Sequence, residues 1–291
     1  MEKVLIDALV LFNTFVVLAI LYCIKRIIGM SIPIKVRIAC KIKKEKFDKK
    51  GMYIIKSKKA TSTDLVIFYL HGGSYIAGFG KEHWHSFNSI CHDLNAVIIA
   101  PDYPQAPKNT YIDVFNMIEP LYLDIIKKVD KQKMIVMGDS AGGGMALALM
   151  EKIAKENKEL LPNKIMLISP WLDVSLENPA IEEVIKKDKV LNKPLLKIAG
   201  EMYIGKNNEN NALTSPVKGS LKDLKNITIF TGTYDILNPD VHVLEQKAKE
   251  ENVDILIKQR DGAEHIWILR KYKGRYMAKE DYDEMIKILK D

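Results

Sequence analysis

An α/β architecture, a mostly parallel sheet flanked by helices, is what this sequence predicts, and three observations predict it. The first is a set of short, almost unbroken apolar runs: Leu65–Leu70, Ala96–Ala100, Met134–Met137, Lys164–Ile168, Ile227–Phe230 and Asp254–Lys258. Such runs suit strands covered on both faces. The second is that helical patterns lie between and after them, around Tyr111–Val129, Ala141–Glu156, Val241–Glu251 and Glu280–Leu289. Alternation of this kind implies parallel strands joined by right-handed crossovers. The third is the pentapeptide Gly138-Asp139-Ser140-Ala141-Gly142, which connects the run Met134–Met137 directly to a helical pattern.

One stretch breaks the alternation. From about Leu176 to Leu213 the chain is helical in character and ends in the polar run Gly205–Asn211. A helical excursion between two strands reads as a cap over the strand ends.

The chain has 291 residues, 47% hydrophobic and 28% charged, which is ordinary for a folded protein with a sizeable core. Its formal charge of +7 is concentrated: Lys35 to Lys59 hold eleven Lys or Arg against Glu45 and Asp48, so the remaining chain is close to neutral. One basic segment on a neutral body argues against nucleic-acid binding, which needs a basic face with base-reading or stacking groups. It fits contact with an anionic membrane surface or a solvated face. Cys23, Cys40 and Cys91 show no CxxC spacing, so neither a disulfide framework nor a zinc site is indicated.

Residues Val4 to Ile24 form a 21-residue apolar stretch whose polar members are Asp7, Asn13 and Thr14. About 20 apolar residues span a bilayer as a helix. Lys25, Arg26 and the basic stretch beyond them place the body of the chain on the cytoplasmic side by the positive-inside tendency. The expectation is a membrane anchor. A signal peptide is disfavoured by Glu2 beside Lys3 and by the absence of an A-x-A site, and a lipoprotein site at Cys23 by Tyr22. The alternative is a helix packed on a soluble cytoplasmic protein.

The chemistry resides in the loops after the strands. A G-x-S-x-G sequence between a strand and a helix holds its serine on a sharp turn, and the flanking glycines avoid clashes there. Ser140 then stands at the carboxyl end of the sheet, where open α/β sheets bind ligands, and at a helix N-terminus that favours negative charge. His71-Gly72-Gly73-Ser74-Tyr75 follows the first buried strand. Backbone N–H groups in such a turn can hold the oxyanion of an acyl-transfer intermediate. A serine nucleophile also needs a base and an acid that orients it, in the chain order Ser, Asp or Glu, His for this strand arrangement. Asp235 in Thr231-Gly232-Thr233-Tyr234-Asp235 and His265 in Asp261-Gly262-Ala263-Glu264-His265 each follow a strand in that order. Asp240 is the nearest rival acid and Glu264 a weaker one. Among the other histidines, His71 belongs to the glycine turn and is expected to stabilise it by hydrogen bonding. His83 and His85 have metal-pair spacing without clustered partners, so they read as exposed or partly buried imidazoles. His92 and His242 read as helix residues without chemistry.

Together these segments resemble the hormone-sensitive-lipase-like esterases of the α/β-hydrolase superfamily, from about Leu65 to His265. The likeness rests on His71–Tyr75, Tyr103-Pro104-Gln105-Ala106-Pro107, Gly138–Gly143, Ser169-Pro170-Trp171, Ser215-Pro216 and the surroundings of Asp235 and His265. It implies an α/β-hydrolase catalytic domain, placed here over residues 61–291 with the cap insertion at about 176–213; charge and hydropathy set before it a basic linker with the first strands over 29–60 and a hydrophobic helix, a candidate membrane anchor, over 1–28. It implies Ser140 as nucleophile and the amides of Gly73, Ser74 and Ala141, with Gly72 in the same turn, as the oxyanion hole. The implied activity is hydrolysis of short- to medium-chain carboxylic esters, small molecules, without metal or cofactor. Amide, peptide or lactone cleavage, and a non-catalytic ligand-binding protein on the same fold, are the alternatives. Two departures stand out: Ser74 replaces the family's third glycine, and the Tyr103 segment lacks the family's Arg, Leu and Glu. Oligomeric state has no signature in the sequence.

Overall fold

The computed structural model describes residues 31–59, 65–206, 210–273 and 276–291. The hydrophobic stretch Val4–Ile24 lies outside them, and with it the expected anchor or packed helix. Among the described residues no helix is long and apolar enough to cross a membrane.

In chain order the elements are α1 (Ile34–Ala39), β1 (Cys40–Phe47), β2 (Lys50–Ser57), β3 (Val66–Leu70), α2 (Lys81–Leu94), β4 (Val97–Pro101), α3 (Tyr111–Ile126), β5 (Met134–Asp139), α4 (Ala141–Asn157), β6 (Lys164–Ile168), α5 (Ile181–Val184), α6 (Lys193–Ile204), β7 (Ile227–Tyr234), α7 (Asn238–Glu251), β8 (Ile255–Glu264), the 3-10 segment Trp267–Lys273 and α8 (Tyr276–Lys290). The eight strands form one sheet in the order β1-β2-β4-β3-β5-β6-β7-β8. β1 and β2 pair antiparallel, as do β2 and β4, and every later pair is parallel. This is the α/β-hydrolase fold, and all six expected strands are present in it.

Alternation along the strands sorts the core into two layers. Phe68 and Leu70 of β3 join Val136 and Leu167 on the face covered by α3, α4 and α7. Ile67 and Tyr69 join Ile135 and Met137 on the opposite face, against α2 and α8. Helix α2, absent from the sequence reading, buries Trp84, Phe87, Ile90 and Cys91 at helical spacing.

The basic segment resolves into the edge of this sheet. Lys41, Lys43, Lys44 and Lys46 lie on β1, the outermost strand, which buries only Cys40. Lysines on an edge strand deter pairing with another chain, so the charge serves the fold as a solvated face.

The cap insertion is also more broken than its composition suggested. Two helices, α5 and α6, are separated by a non-helical stretch. Pro194 cannot continue a helix from the N-terminal side, and Asn192 starts a new one by accepting a hydrogen bond from Leu195 N at 3.1 Å.

Candidate active site

Ser140 occupies the turn between β5 and α4 with φ 52° and ψ −125°, a strained conformation for a residue with a side chain. Its neighbours hold it there. Ser140 N donates to Ile168 O at 2.9 Å, and Ser140 O accepts from Trp171 N at 2.9 Å and Gly144 N at 3.1 Å. The glycines on either side are required by close approach: a Cβ on Gly142 would strike the Leu70 carbonyl, and one on Gly138 the Gly142 carbonyl.

Asp235 follows β7 directly and His265 follows β8 directly. Because β5, β7 and β8 run parallel, Ser140, Asp235 and His265 all emerge at one edge of the sheet. His265 Nδ1 lies 2.8 Å from Asp235 Oδ2. A carboxylate facing Nδ1 keeps the proton on that nitrogen and leaves Nε2 as the acceptor. Asp235 is fully buried, and its other oxygen accepts from Leu237 N at 3.0 Å. Ser140 and His265 line a common cavity of about 390 Å³, walled in part by Gly73, Ser74 and the cap residues Val190 and Leu191. Asp240, the rival acid, is buried in α7 and accepts from Asn178 instead, with burial pushing its carboxyl up to about 6.

The glycine turn shows a network that sequence reasoning missed. Asp139, fully buried beside Ser140, accepts on Oδ1 from Tyr69 Oη at 2.8 Å and Gly72 N at 3.0 Å. His83 Nε2 sits 3.1 Å from Oδ1 and 3.2 Å from Oδ2. Gly80 N donates to His83 Nδ1 at 2.8 Å, so the ring proton is on Nε2 and points at the carboxylate. Burial alone would raise the Asp139 pKa, but His83, Tyr69 and the Gly72 amide outweigh it and hold the group below the usual value.

Two expectations change as a result. Gly72, expected in the oxyanion cradle, has its N–H committed to Asp139. His83, expected as an exposed or partly buried imidazole without partners, is buried in contact with a carboxylate. The signal was available: His83 lies on the apolar face shared by Trp84, Phe87 and Ile90.

Beyond Gly72 the turn has φ 130° at Gly73, 52° at Ser74 and 62° at Tyr75. The Gly73 carbonyl accepts from Ile76 N and Ala77 N, which folds the turn back on itself. The amides of Gly73, Ser74 and Ala141 have no acceptor among the described residues, and Ala141 opens α4, where first-turn amides lack intrahelical partners. Ser74 thus keeps the amide of the glycine it replaces while adopting a backbone that costs about 1–2 kcal/mol for a residue with a Cβ. His71 braces the turn. Its Nδ1 lies 2.7 Å from Gly72 O, it stacks on Tyr103 at 4.2 Å, and burial pulls its pKa down to about 3. Tyr103 Oη donates to His71 O at 2.6 Å, so the divergent Tyr103 segment still supports the loop.

Residues 67–269 match the alpha/beta hydrolase fold family. The chain belongs to that family. Among curated relatives, an acetyl-hydrolase of Streptomyces hygroscopicus is 25% identical over 202 residues, 69% of this chain and 67% of the relative. An esterase of Acinetobacter venetianus is 28% identical over 207 residues, 70% of this chain and 68% of its own. The fold also matches the crystal structure of an esterase from the bacterial hormone-sensitive lipase family. That match has a TM-score of 0.78 and 22% identity, covering 89% of this chain and 86% of the other. That likeness is one of fold, over 89% of this chain.

Proposed function

We infer that this α/β-hydrolase cleaves carboxylic esters of short to medium acyl chains by a serine acyl-transfer mechanism. Relatives named esterase and acetyl-hydrolase on a shared fold mark it as an ester-hydrolysing enzyme. The observation that carries the finer reading is the shared cavity: Ser140 on its strained turn and His265, oriented by Asp235, open onto the same space.

In this reading His265 Nε2 takes the Ser140 hydroxyl proton as Oγ attacks the ester carbonyl. Oxyanion charge is held by the amides of Gly73, Ser74 and Ala141, each such donor being worth about 3–4 kcal/mol in the transition state. His265 returns the proton to the leaving alcohol, and water then cleaves the acyl-enzyme by the same route, giving the acid and free serine. Asp235 keeps the tautomer and stabilises the imidazolium. A cavity of about 390 Å³ is at the small end of ligand sites, which favours small acyl groups.

The test is hydrolysis of 4-nitrophenyl acetate and butyrate by purified protein beside Ser140→Ala. The variant should lose at least about 10³-fold in kcat. Equal turnover by both would refute the assignment.

The length and apolarity of residues 4–24, with the basic stretch behind them, support membrane anchoring with the catalytic body on the cytoplasmic side. Removal of residues 1–28 should shift active enzyme from the membrane pellet to the supernatant. Full-length protein already found in the supernatant would overturn the anchor.

A further inference from the structure

The cavity contains a cation that the mechanism does not use. Arg270 lies on the 3-10 segment Trp267–Lys273, five residues after His265, and lines the same cavity as Ser140 and His265. Its side chain is only 15% exposed. Nε is buried and has no hydrogen-bond acceptor among the described residues. Among the described residues the carboxylate paired with it is Glu264, whose Oε2 lies 3.4 Å from Nη1. Charge-assisted N–H to O bonds are normally about 2.7–2.9 Å, so this pairing is loose and single-pronged.

A guanidinium carries five N–H donors in a planar fork that fits a carboxylate two bonds at a time. Confined with an unpaired Nε and one long contact, Arg270 is short of acceptors, and a buried charge without acceptors is costly. The other charged groups of the wall are engaged or offset: Lys81 and Glu82, both at the start of α2, are one charge of each sign, and Asp139 is taken up by Tyr69, the Gly72 amide and His83. What is left is a guanidinium with spare donors in the wall that also holds Ser140 and His265.

We propose that Arg270 receives a carboxylate carried by the substrate, so that the preferred esters bear a second, ionised carboxyl group on either the acyl or the alcohol portion. The assignment rests on reading this cavity as the ester-cleaving site. It adds a charge requirement that the triad and the cavity volume do not supply.

Matched pairs test it on both portions of the substrate. 4-Carboxyphenyl acetate against 4-carbamoylphenyl acetate places the charge on the alcohol side. The 4-nitrophenyl monoester of glutaric acid against 4-nitrophenyl valerate places it on the acyl side. In one of the pairs the anionic ester should lead by about tenfold in kcat/KM. Arg270→Gln should bring that ratio close to one, Arg270→Lys should retain part of it, and Glu264→Gln, which removes the competing carboxylate, should increase it. Because the readout is a ratio, a general loss of activity or folding does not mimic the effect. An anionic-to-neutral ratio that is unchanged in Arg270→Gln, or that favours the neutral ester in both pairs, overturns the proposal. Calorimetry on Ser140→Ala separates this from failure of the esterase reading. That protein should bind the anionic member of the preferred pair about tenfold more tightly than the neutral one even without turnover. Equal affinities overturn the Arg270 assignment.

Discussion

Replacing Asp139 by Asn keeps the shape of the side chain and removes its charge, so it isolates what the buried carboxylate does. The amide oxygen can still accept from Tyr69 Oη and Gly72 N, which lie 2.8 and 3.0 Å from Oδ1. The amide nitrogen, however, would face His83 Nε2–H across 3.2 Å, donor against donor, and would leave Oδ1, 3.1 Å from the same ring nitrogen, to serve three donors with two lone pairs. Moving the His83 proton to Nδ1 gives no relief, because Gly80 N donates there at 2.8 Å. One charge-assisted bond is lost, about 1.5–3 kcal/mol, and one buried donor is orphaned, about 1–3 kcal/mol. Asn escapes the desolvation of the charge, which offsets part of this, leaving a net destabilisation of about 2–4 kcal/mol. Urea unfolding followed by tryptophan fluorescence measures it well, since Trp84, Trp171 and Trp267 are all buried. In a cycle with His83→Ala the two sites should couple by about 1–3 kcal/mol. The pH dependence adds a sign test. The native pKa of Asp139 lies below its unfolded value, so its contribution is full above about pH 4 and fades as pH falls through the native pKa. The gap between wild type and variant should close in acid. A variant within about 0.5 kcal/mol of wild type at pH 7, or a gap that widens in acid, would refute the network.

Two further outcomes follow from carboxylates elsewhere. Glu151 in α4 has no hydrogen-bond partner among the described residues, and burial, with Glu251 adding and Lys247 opposing, raises its pKa to about 9. The native state therefore holds a proton that the unfolded chain releases above about pH 4.3, so stability falls as pH rises from there towards 9, by at most on the order of 5 kcal/mol. Glu151→Gln should flatten the Tm-against-pH curve between pH 5 and 9, and an unchanged slope would contradict the assignment. In the cap, Asp188 accepts from Val190 N at 2.7 Å and Leu191 N at 2.8 Å on one oxygen and from Ile236 N at 2.9 Å on the other. It ties the cavity wall to the loop carrying Asp235, so Asp188→Ala should cost about 1–3 kcal/mol and raise KM more than it lowers kcat. Steady-state kinetics with 4-nitrophenyl butyrate reads both constants.

Much of this arrangement was legible because strand order and loop position follow from simple patterns. Six apolar runs announced six strands, although β8, at the edge of the sheet, is only half-buried, and Ser140, Asp235 and His265 each sit just past one of them. Helix α2 was equally legible from Trp84, Phe87 and Ile90, yet its polar residues Lys81, Glu82, His83 and His85 obscured the apolar face. The break between α5 and α6 was written in Asn192 and Pro194. What sequence could not supply were contacts between distant segments. Asp139 lies 67 positions from the Gly72 amide and 56 from His83, and nothing local to any of the three records the meeting. Arg270 likewise becomes a cavity residue only once the 3-10 segment folds back beside Ser140.

The second position of G-x-S-x-G is written as free, and the requirement there is indeed not local. Backbone strain at Ser140 needs small neighbours at Gly138 and Gly142, where the motif specifies them. Position 139 instead carries its side chain to Tyr69, His83 and the Gly72 amide, which converge on it. The strand end that presents Ser140 therefore also anchors the turn carrying the Gly73 and Ser74 amides. One backbone step separates the two positions, so a shift of β5 would carry Ser140 and the Gly73–Ser74 turn together. A carboxylate suits this position because it alone among side chains of its size accepts from three donors without offering one back. In this chain the free position of the motif is fixed by chemistry at the far end of hydrogen bonds from three partners, Tyr69, Gly72 and His83.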